Sequence, residues 1–260
     1  MSKKAILVAS FGTSYQETME KTITAIENSL QDAFSDYKVY RAFTSKMIKQ
    51  KLQREGVTVF NVKEALEQML LDHVTELLVQ PTHIINGVEY EGMKEELKPY
   101  LDKFKTVHYG QPLLSGEEDY KELATIIHRE YPVGEDEVLV MMGHGSDHHA
   151  NSAYPAFEYV LKDLDYHNIL IGTVEGYPTF SEVKKQLKKK NLKKVCLAPM
   201  MIVAGDHANN DMAGDDEDSW KSMFETSGKF ESVEALIVGL GSVESVQQLY
   251  VQHTKDIMNK

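Results

Sequence analysis

The chain has 260 residues, 42% hydrophobic and 26% charged, with a formal net charge of −12 and one cysteine. That length is long for one domain and comfortable for two, and the acidic balance argues against nucleic acid or an anionic membrane surface as partner. No run approaches the roughly 18 apolar residues of a membrane helix. The apolar stretch at the N-terminus is too short for a signal peptide, and Cys196 has no cysteine to pair with, so the expected compartment is the cytoplasm.

The first element is a strand over Lys4–Ser10, ending in Phe11-Gly12-Thr13-Ser14, with a helical pattern from Ser14 or Tyr15 onward. Strand, glycine turn and helix make an anion-friendly geometry, although this is neither a P-loop nor G-x-G-x-x-G. Tyr37–Phe43 reads as a second strand, with Thr44-Ser45 as N-cap of a helix running through Leu52. A helix over Val62–Asp72 leads to a strand, Glu76–Gln80, which stops at Pro81. A further helix ends near Leu101, Thr106–Tyr109 is a fourth strand, and a helix over Glu117–Tyr131 closes the first half. The βα alternation calls for a parallel sheet with helices on both faces.

Pro132-Val133-Gly134 is a natural boundary, giving an N-terminal α/β domain over 1–131 and a C-terminal one over 132–260. The last helix, Ser242–Met258, fits packing against either. The second half opens with Val138-Leu139-Val140-Met141-Met142, a buried parallel strand, stopped by Gly143-His144-Gly145. It repeats the first half. Setting Gly12 on Gly145 pairs Leu7 with Val140, Phe11 with His144 and Ala42 with Glu175, while Pro199 aligns with Pro81 and His207 with Glu89. An internal duplication into two similar α/β domains is expected.

In open α/β sheets the carboxyl ends of the strands bind ligands. His144, Glu175 and His207 all fall at such ends in the second half. Two imidazoles and a carboxylate suit a divalent first-row metal such as cobalt, nickel, iron or zinc. Strand ends about 5 Å apart let their side chains converge. Glu89, opposite His207 in the repeat, reads either as a second carboxylate of the site or as an acid favoured at a helix N-terminus. His83 reads as a core histidine, His148 and His149 as the solvated start of a helix. The acidic stretch Asn209–Trp220 lacks calcium-loop register and reads as acids preceding the helix that carries Trp220.

Five segments together carry a family resemblance. They are Ser10-Phe11-Gly12-Thr13-Ser14, Arg41-Ala42-Phe43-Thr44-Ser45, His83-Ile84-Ile85-Asn86-Gly87, Gly143-His144-Gly145 and, above all, Val203-Ala204-Gly205-Asp206-His207-Ala208-Asn209-Asn210-Asp211-Met212. The chain resembles, over nearly its whole length, the anaerobic sirohydrochlorin cobaltochelatases, class II chelatases related to ferrochelatase. The resemblance implies two flavodoxin-like α/β domains with parallel sheets, facing a central cleft that takes a tetrapyrrole. It implies Co2+ as substrate metal, held by His144, Glu175 and His207, with no organic cofactor. Neutral imidazoles can also accept pyrrole protons, so His144 and His207, with Glu89 from the repeat, are the expected catalytic residues, and Ser10, Phe11, Gly12, Thr13, Arg41, Val203, Ala204 and Gly205 the expected substrate-binding ones. Sirohydrochlorin is rich in carboxylates while this chain is acidic, so local donors must receive them, and Arg41, Lys46 and the Phe11–Ser14 turn are candidates. Iron or nickel insertion into sirohydrochlorin or a porphyrin stays open at this point, as does a binding protein without turnover. Metal affinity follows the Irving–Williams order rather than cellular use, and oligomeric state, a homo-oligomer included, is equally open.

Overall fold

In the computed structural model, which describes residues 3–188 and 190–258, the chain divides into two units. The first runs through Ser115 and resumes at Gly241; the second spans Gly116–Leu240. The first contains β1 (Lys4–Ser10), β2 (Tyr37–Phe43), β3 (Glu76–Pro81) and β4 (Thr106–Tyr109), all parallel, in the order β2-β1-β3-β4. Its helices are α1 (residues 16–33, with a π-helical turn at Glu20–Thr24), α2 (Lys46–Arg54), α3 (Val62–Leu71), α4 (Val88–Leu97) and, from the C-terminus, α9 (Glu244–Met258).

The second unit begins with α5 (Glu117–Glu130) and contains β5 (Glu137–Gly143), α6 (Ala153–Asp163), β6 (Ile169–Thr173), α7 (Phe180–Leu187), β7 (Lys194–Pro199), α8 (Trp220–Glu225) and β8 (Ser232–Ala235). Its sheet order is β6-β5-β7-β8, again all parallel.

The central strands are covered on both faces, which is why they read as continuous apolar runs. Ala5 through Ala9 and Val138 through Met142 are all fully buried. Leu7 and Val79 pack with Leu66, Met69 and Met93; Val140 and Leu197 pack with Val183, Trp220 and Phe224. Each such side chain contributes roughly 1.5–3 kcal/mol by leaving water. Cys196 lies in this core, and burial pushes its thiol up to about 11, so it packs and does not react.

One N–H on an edge strand of each sheet is met by a helix side chain. Gln31 Oε1 accepts from Val39 N–H of β2 at 3.2 Å, and buried Glu158 Oε2 accepts from Ile171 N–H of β6 at 2.8 Å. Each such bond removes one free donor from an edge strand. No helix among the described residues is long and apolar enough to cross a membrane.

The boundary falls at 115/116, not at 131/132. The helix expected to close the first half, α5, packs on α6 of the second unit, with the Tyr120 and Phe157 rings 6.2 Å apart. α9 belongs to the first unit, packed on α1 and β3. There Ser29 Oγ donates to Gln247 Oε1, Tyr250 Oη to the Thr82 carbonyl and Thr254 Oγ1 to Gln80 Oε1, at 2.9–3.0 Å.

The shared strand order supports the duplication, and strand register corrects one of its pairings. Ser10 lies beside Phe43 and Gly143 beside Thr173 (43 − 10 = 33 against 173 − 143 = 30), so the second unit's connection is three residues shorter. Glu175 therefore stands opposite Ser45, and Ala42 opposite Gly172. The Pro81–Pro199 pairing agrees with the register, since Ala9 lies beside Pro81 and Met142 beside Pro199.

Candidate metal centre

Three loops leave the carboxyl ends of β5, β6 and β7, and each brings one candidate ligand. His144 follows β5 directly. Its loop turns at Gly145, whose φ of +83° suits a residue without Cβ. A Cβ there would also lie 2.5 Å from the Gly176 backbone nitrogen, so the turn presses against the loop carrying Glu175. Backbone bonds continue past the ladder, from Val174 N–H to the Gly143 carbonyl (3.1 Å) and from Glu175 N–H to the His144 carbonyl (2.8 Å). The Glu175 loop closes on itself through Thr173, whose N–H and Oγ1 both donate to the Pro178 carbonyl.

The third loop, residues 200–205, is tied back where Met200 N–H meets the Met142 carbonyl and Leu240 N–H the Met201 carbonyl, both at 2.8 Å. It ends in a short helical segment, residues 206–212, π-helical over Ala208–Met212. His207 is its second residue. Glu89 is the second residue of α4, so the two occupy matching places, each following the third strand of its sheet.

One ligand atom from each of His144, Glu175 and His207 lies within 4.8 Å of the others, the only such group of three or more found among the described residues. The two imidazole centroids are 4.7 Å apart, edge to face, and His144 Nδ1 is 3.7 Å from Glu175 Oε2. All three side chains reach solvent, at 42%, 57% and 30% exposure for His144, Glu175 and His207, so an ion can enter without unfolding. His144 Nδ1 lies 2.9 Å from the Gly145 carbonyl, and His207 Nδ1 2.9 Å from Asp211 Oδ2. A carbonyl and a carboxylate can only accept, so each Nδ1 carries the ring proton and Nε2 keeps the lone pair, a common arrangement for metal-bound histidines. Asp211 was not expected in this role; its i,i+4 spacing from His207 lay hidden among neighbouring acids.

Other candidates are placed differently. Arg41 is committed inside the first unit: Nε and Nη2 donate to the Glu27 carboxylate at 2.7 and 2.5 Å, and Nη2 also donates to Thr24 Oγ1 at 2.8 Å. Its charge is paired there with the Glu27 carboxylate. The Ser10 and Thr13 side chains are buried and shape the turn, Ser10 Oγ accepting from Thr82 Oγ1 and Thr13 Oγ1 from Tyr15 N–H. Phe11 is half-buried, and Gly12 holds the turn with a φ of +100°. Val203 and Gly205 are half-buried beside His207, Ala204 is buried, and Lys46 is exposed at the start of α2.

His148 Nδ1 accepts the Ala150 N–H at 3.3 Å, which commits that nitrogen to capping, and the His148 and His149 rings lie 4.0 Å apart. His83 sits just past β3, with Nε2 3.3 Å from Thr44 Oγ1 and a buried Nδ1 without a hydrogen-bond partner. Burial pushes it down to about 4.

The chain matches, over residues 4–259, the family described as Cobalt chelatase (CbiK). It is 38% identical over 259 residues to the Sirohydrochlorin cobaltochelatase of Salmonella typhimurium, covering 99% of this chain and 97% of that one. Identity to the Sirohydrochlorin cobaltochelatase CbiKC of Nitratidesulfovibrio vulgaris is 35% over 232 residues, covering 88% of this chain and 82% of that one. Among solved structures, SirB from Bacillus subtilis with Fe3+ superposes with a TM-score of 0.68 at 14% identity, covering 98% of this chain and 95% of that one. CbiX, the terminal enzyme for biosynthesis of siroheme in denitrifying bacteria, gives 0.58 at 15% identity, covering 97% and 99%. At such identities these two structures speak for the fold alone. The family match and the two curated relatives, both spanning most of the chain, place this protein in the cobalt chelatase (CbiK) family.

Proposed function

We propose that the protein inserts Co2+ into sirohydrochlorin, with His144, Glu175 and His207 holding the incoming metal. The observation that carries the assignment is the convergence of those three ligand atoms within 4.8 Å at the ends of three adjacent strands. Two imidazole nitrogens and one carboxylate oxygen suit a divalent first-row metal. Three protein ligands leave further coordination positions for the macrocycle, as catalytic metal sites require.

Insertion exchanges two pyrrole N–H protons for one divalent ion, so two protons must leave as the metal passes from protein to macrocycle. As His144 and His207 release the metal, their Nε2 lone pairs become available to accept those protons. Asp211 holds the Nδ1–H of His207 and stabilises the imidazolium that forms. Glu175 balances the metal's charge while it is bound and passes protons outward from its exposed position. Val203, Ala204 and Gly205, which lead to His207, are assigned apolar contact to the ring.

The test is an absorbance assay with purified protein, sirohydrochlorin and Co2+, Fe2+ or Ni2+. Many turnovers with Co2+ are expected. One equivalent bound without turnover would make the protein a carrier, and turnover with Fe2+ or Ni2+ but not Co2+ would reassign the metal.

A further inference from the structure

The loops carrying His144 and Glu175 must keep a fixed spacing if both residues are to hold one ion. Backbone hydrogen bonds join the loops only as far as Glu175 N–H on the His144 carbonyl. Beyond that point a single side chain takes over. Asn151 Oδ1 accepts the Ser146 N–H at 3.0 Å, and Asn151 Nδ2 donates to the Tyr177 carbonyl at 2.6 Å. One carboxamide thus joins the loop after β5 to the loop after β6, two residues beyond each ligand. Its orientation is settled by the partners, one a donor and the other an acceptor.

The surroundings are shaped around this clamp. A Cβ at Gly176 would lie 2.3 Å from Asn151 Oδ1 and 2.8 Å from the Ser146 nitrogen. Gly176 does not have a positive φ, so it is close approach that calls for glycine here. Asn151 is itself held in a 3-10 turn, His149–Ser152, where its N–H donates to the His148 carbonyl at 2.9 Å. That turn runs into α6, whose buried Tyr154 ring packs so closely on Gly143 that a Cβ there would lie 2.4 Å from its Cε1. The segment 149–154 therefore meets the chain on both sides of His144. Asparagine is the residue of this size that offers both a donor and an acceptor; aspartate keeps only the acceptor, and leucine keeps neither.

We infer that Asn151 is a positioning residue for metal delivery, setting the His144–Glu175 spacing through its two hydrogen bonds while touching neither metal nor tetrapyrrole. The inference rests on the metal-holding role proposed for His144 and Glu175. Partners of this kind are typically worth 10- to 100-fold in metal affinity.

The test compares wild type with Asn151→Leu and Asn151→Asp by visible Co2+ absorption in the absence of macrocycle, and by steady-state KM for each substrate. Asn151→Leu should weaken Co2+ binding about tenfold and alter the cobalt d–d bands, while KM for sirohydrochlorin stays within about twofold. Asn151→Asp, which keeps size and the Ser146 bond, should also weaken Co2+ binding despite its added negative charge, and it serves if the leucine variant fails to fold. Wild-type cobalt spectra and affinity in a folded variant would overturn the inference. So would equal rises in both KM values. A cycle with Glu175→Gln separates the inference from the reading beneath it. If Glu175→Gln alone leaves Co2+ affinity unchanged, the metal-holding role fails. If Glu175→Gln weakens binding and the Asn151→Leu effect adds to it undiminished, the clamp does not act through Glu175 and the inference fails.

Discussion

The contact between His207 and Asp211 offers the sharpest test of how the metal centre is built. Asp211 Oδ2 lies 2.9 Å from His207 Nδ1, one turn along the same helical segment. It supplies two things: an acceptor that fixes the ring's orientation and tautomer, and a negative charge that makes the far nitrogen a better ligand. Asp211→Ala removes both; Asp211→Asn keeps an acceptor and removes the charge. Second partners of this kind are worth 10- to 100-fold in metal affinity. The Asp211 side chain is 45% exposed and that of His207 30%, so solvent screens the pair and the lower end applies. The alanine variant is then expected to lose about tenfold in Co2+ affinity, roughly 1.4 kcal/mol. The asparagine variant should lose about half of that free energy, roughly threefold. Thermal stability should hardly move, because an exposed i,i+4 pair contributes only about 0.3–0.5 kcal/mol to a helix. Cobalt titration without macrocycle, followed by turnover at limiting Co2+, reads both effects. If both variants bind Co2+ as wild type does, Asp211 is only a surface ion-pair partner and the orienting argument is wrong.

Four further outcomes are expected. His207→Ala should abolish insertion while the protein still folds and binds tetrapyrrole; near-normal turnover would remove His207 from the metal or proton path. Glu175→Gln keeps shape but removes a charge, so it should weaken Co2+ binding more than tetrapyrrole binding, as paired titrations can show. Protons and metal compete for the imidazole nitrogens, so raising Co2+ from limiting to saturating should move the acid limb of the rate profile to lower pH; a fixed limb would mean these histidines do not hold the metal. Burial takes His83 from the ordinary 6.5 to about 4, so the unfolded chain gains a proton there that the folded protein refuses, and stability falls as pH drops through that window by up to roughly 3 kcal/mol. Urea midpoints at pH 7 and pH 5 should then differ less in His83→Phe than in wild type, and equal differences would contradict the linkage.

Much of this molecule is legible from local sequence, and what is not legible depends on distant partners. The strands β1 and β5 announce themselves because both faces are buried, which removes the alternation a half-exposed strand would show. The candidate ligands His144 and Glu175 stand out by their place just after strand ends, beside Gly145 and Gly176. The unit boundary is another matter. The pattern of α5 shows an apolar stripe, and nothing in it says which sheet the stripe will cover; the answer lies in Phe157 and its neighbours, some 30 residues on. The partner of Arg41 is hidden for the same reason: nothing near the strand shows that Glu27, on α1, pairs with its guanidinium. Asp211 is visible as an acid but not as a partner, because only a helical turn at 206–212 brings it back to His207.

The duplication lets the two units be compared position by position, and only one of them brings candidate metal ligands together among the described residues. The backbone device is the same in both: the first strand ends in a glycine of positive φ, +100° at Gly12 and +83° at Gly145, and the third strand leads to a helical segment whose second residue is polar. Strand register sets Phe11 opposite His144 and Ser45 opposite Glu175, and Glu89 matches His207. The fold therefore fixes which positions lie at the strand ends in each unit, and the residue types decide what those positions can do. A phenyl ring and a hydroxyl give a transition metal little to bind, and one carboxylate alone competes poorly with water for it. Glu89, with a phenyl ring and a hydroxyl in the matching places of its own unit, stands as a single acid in the first turn of α4.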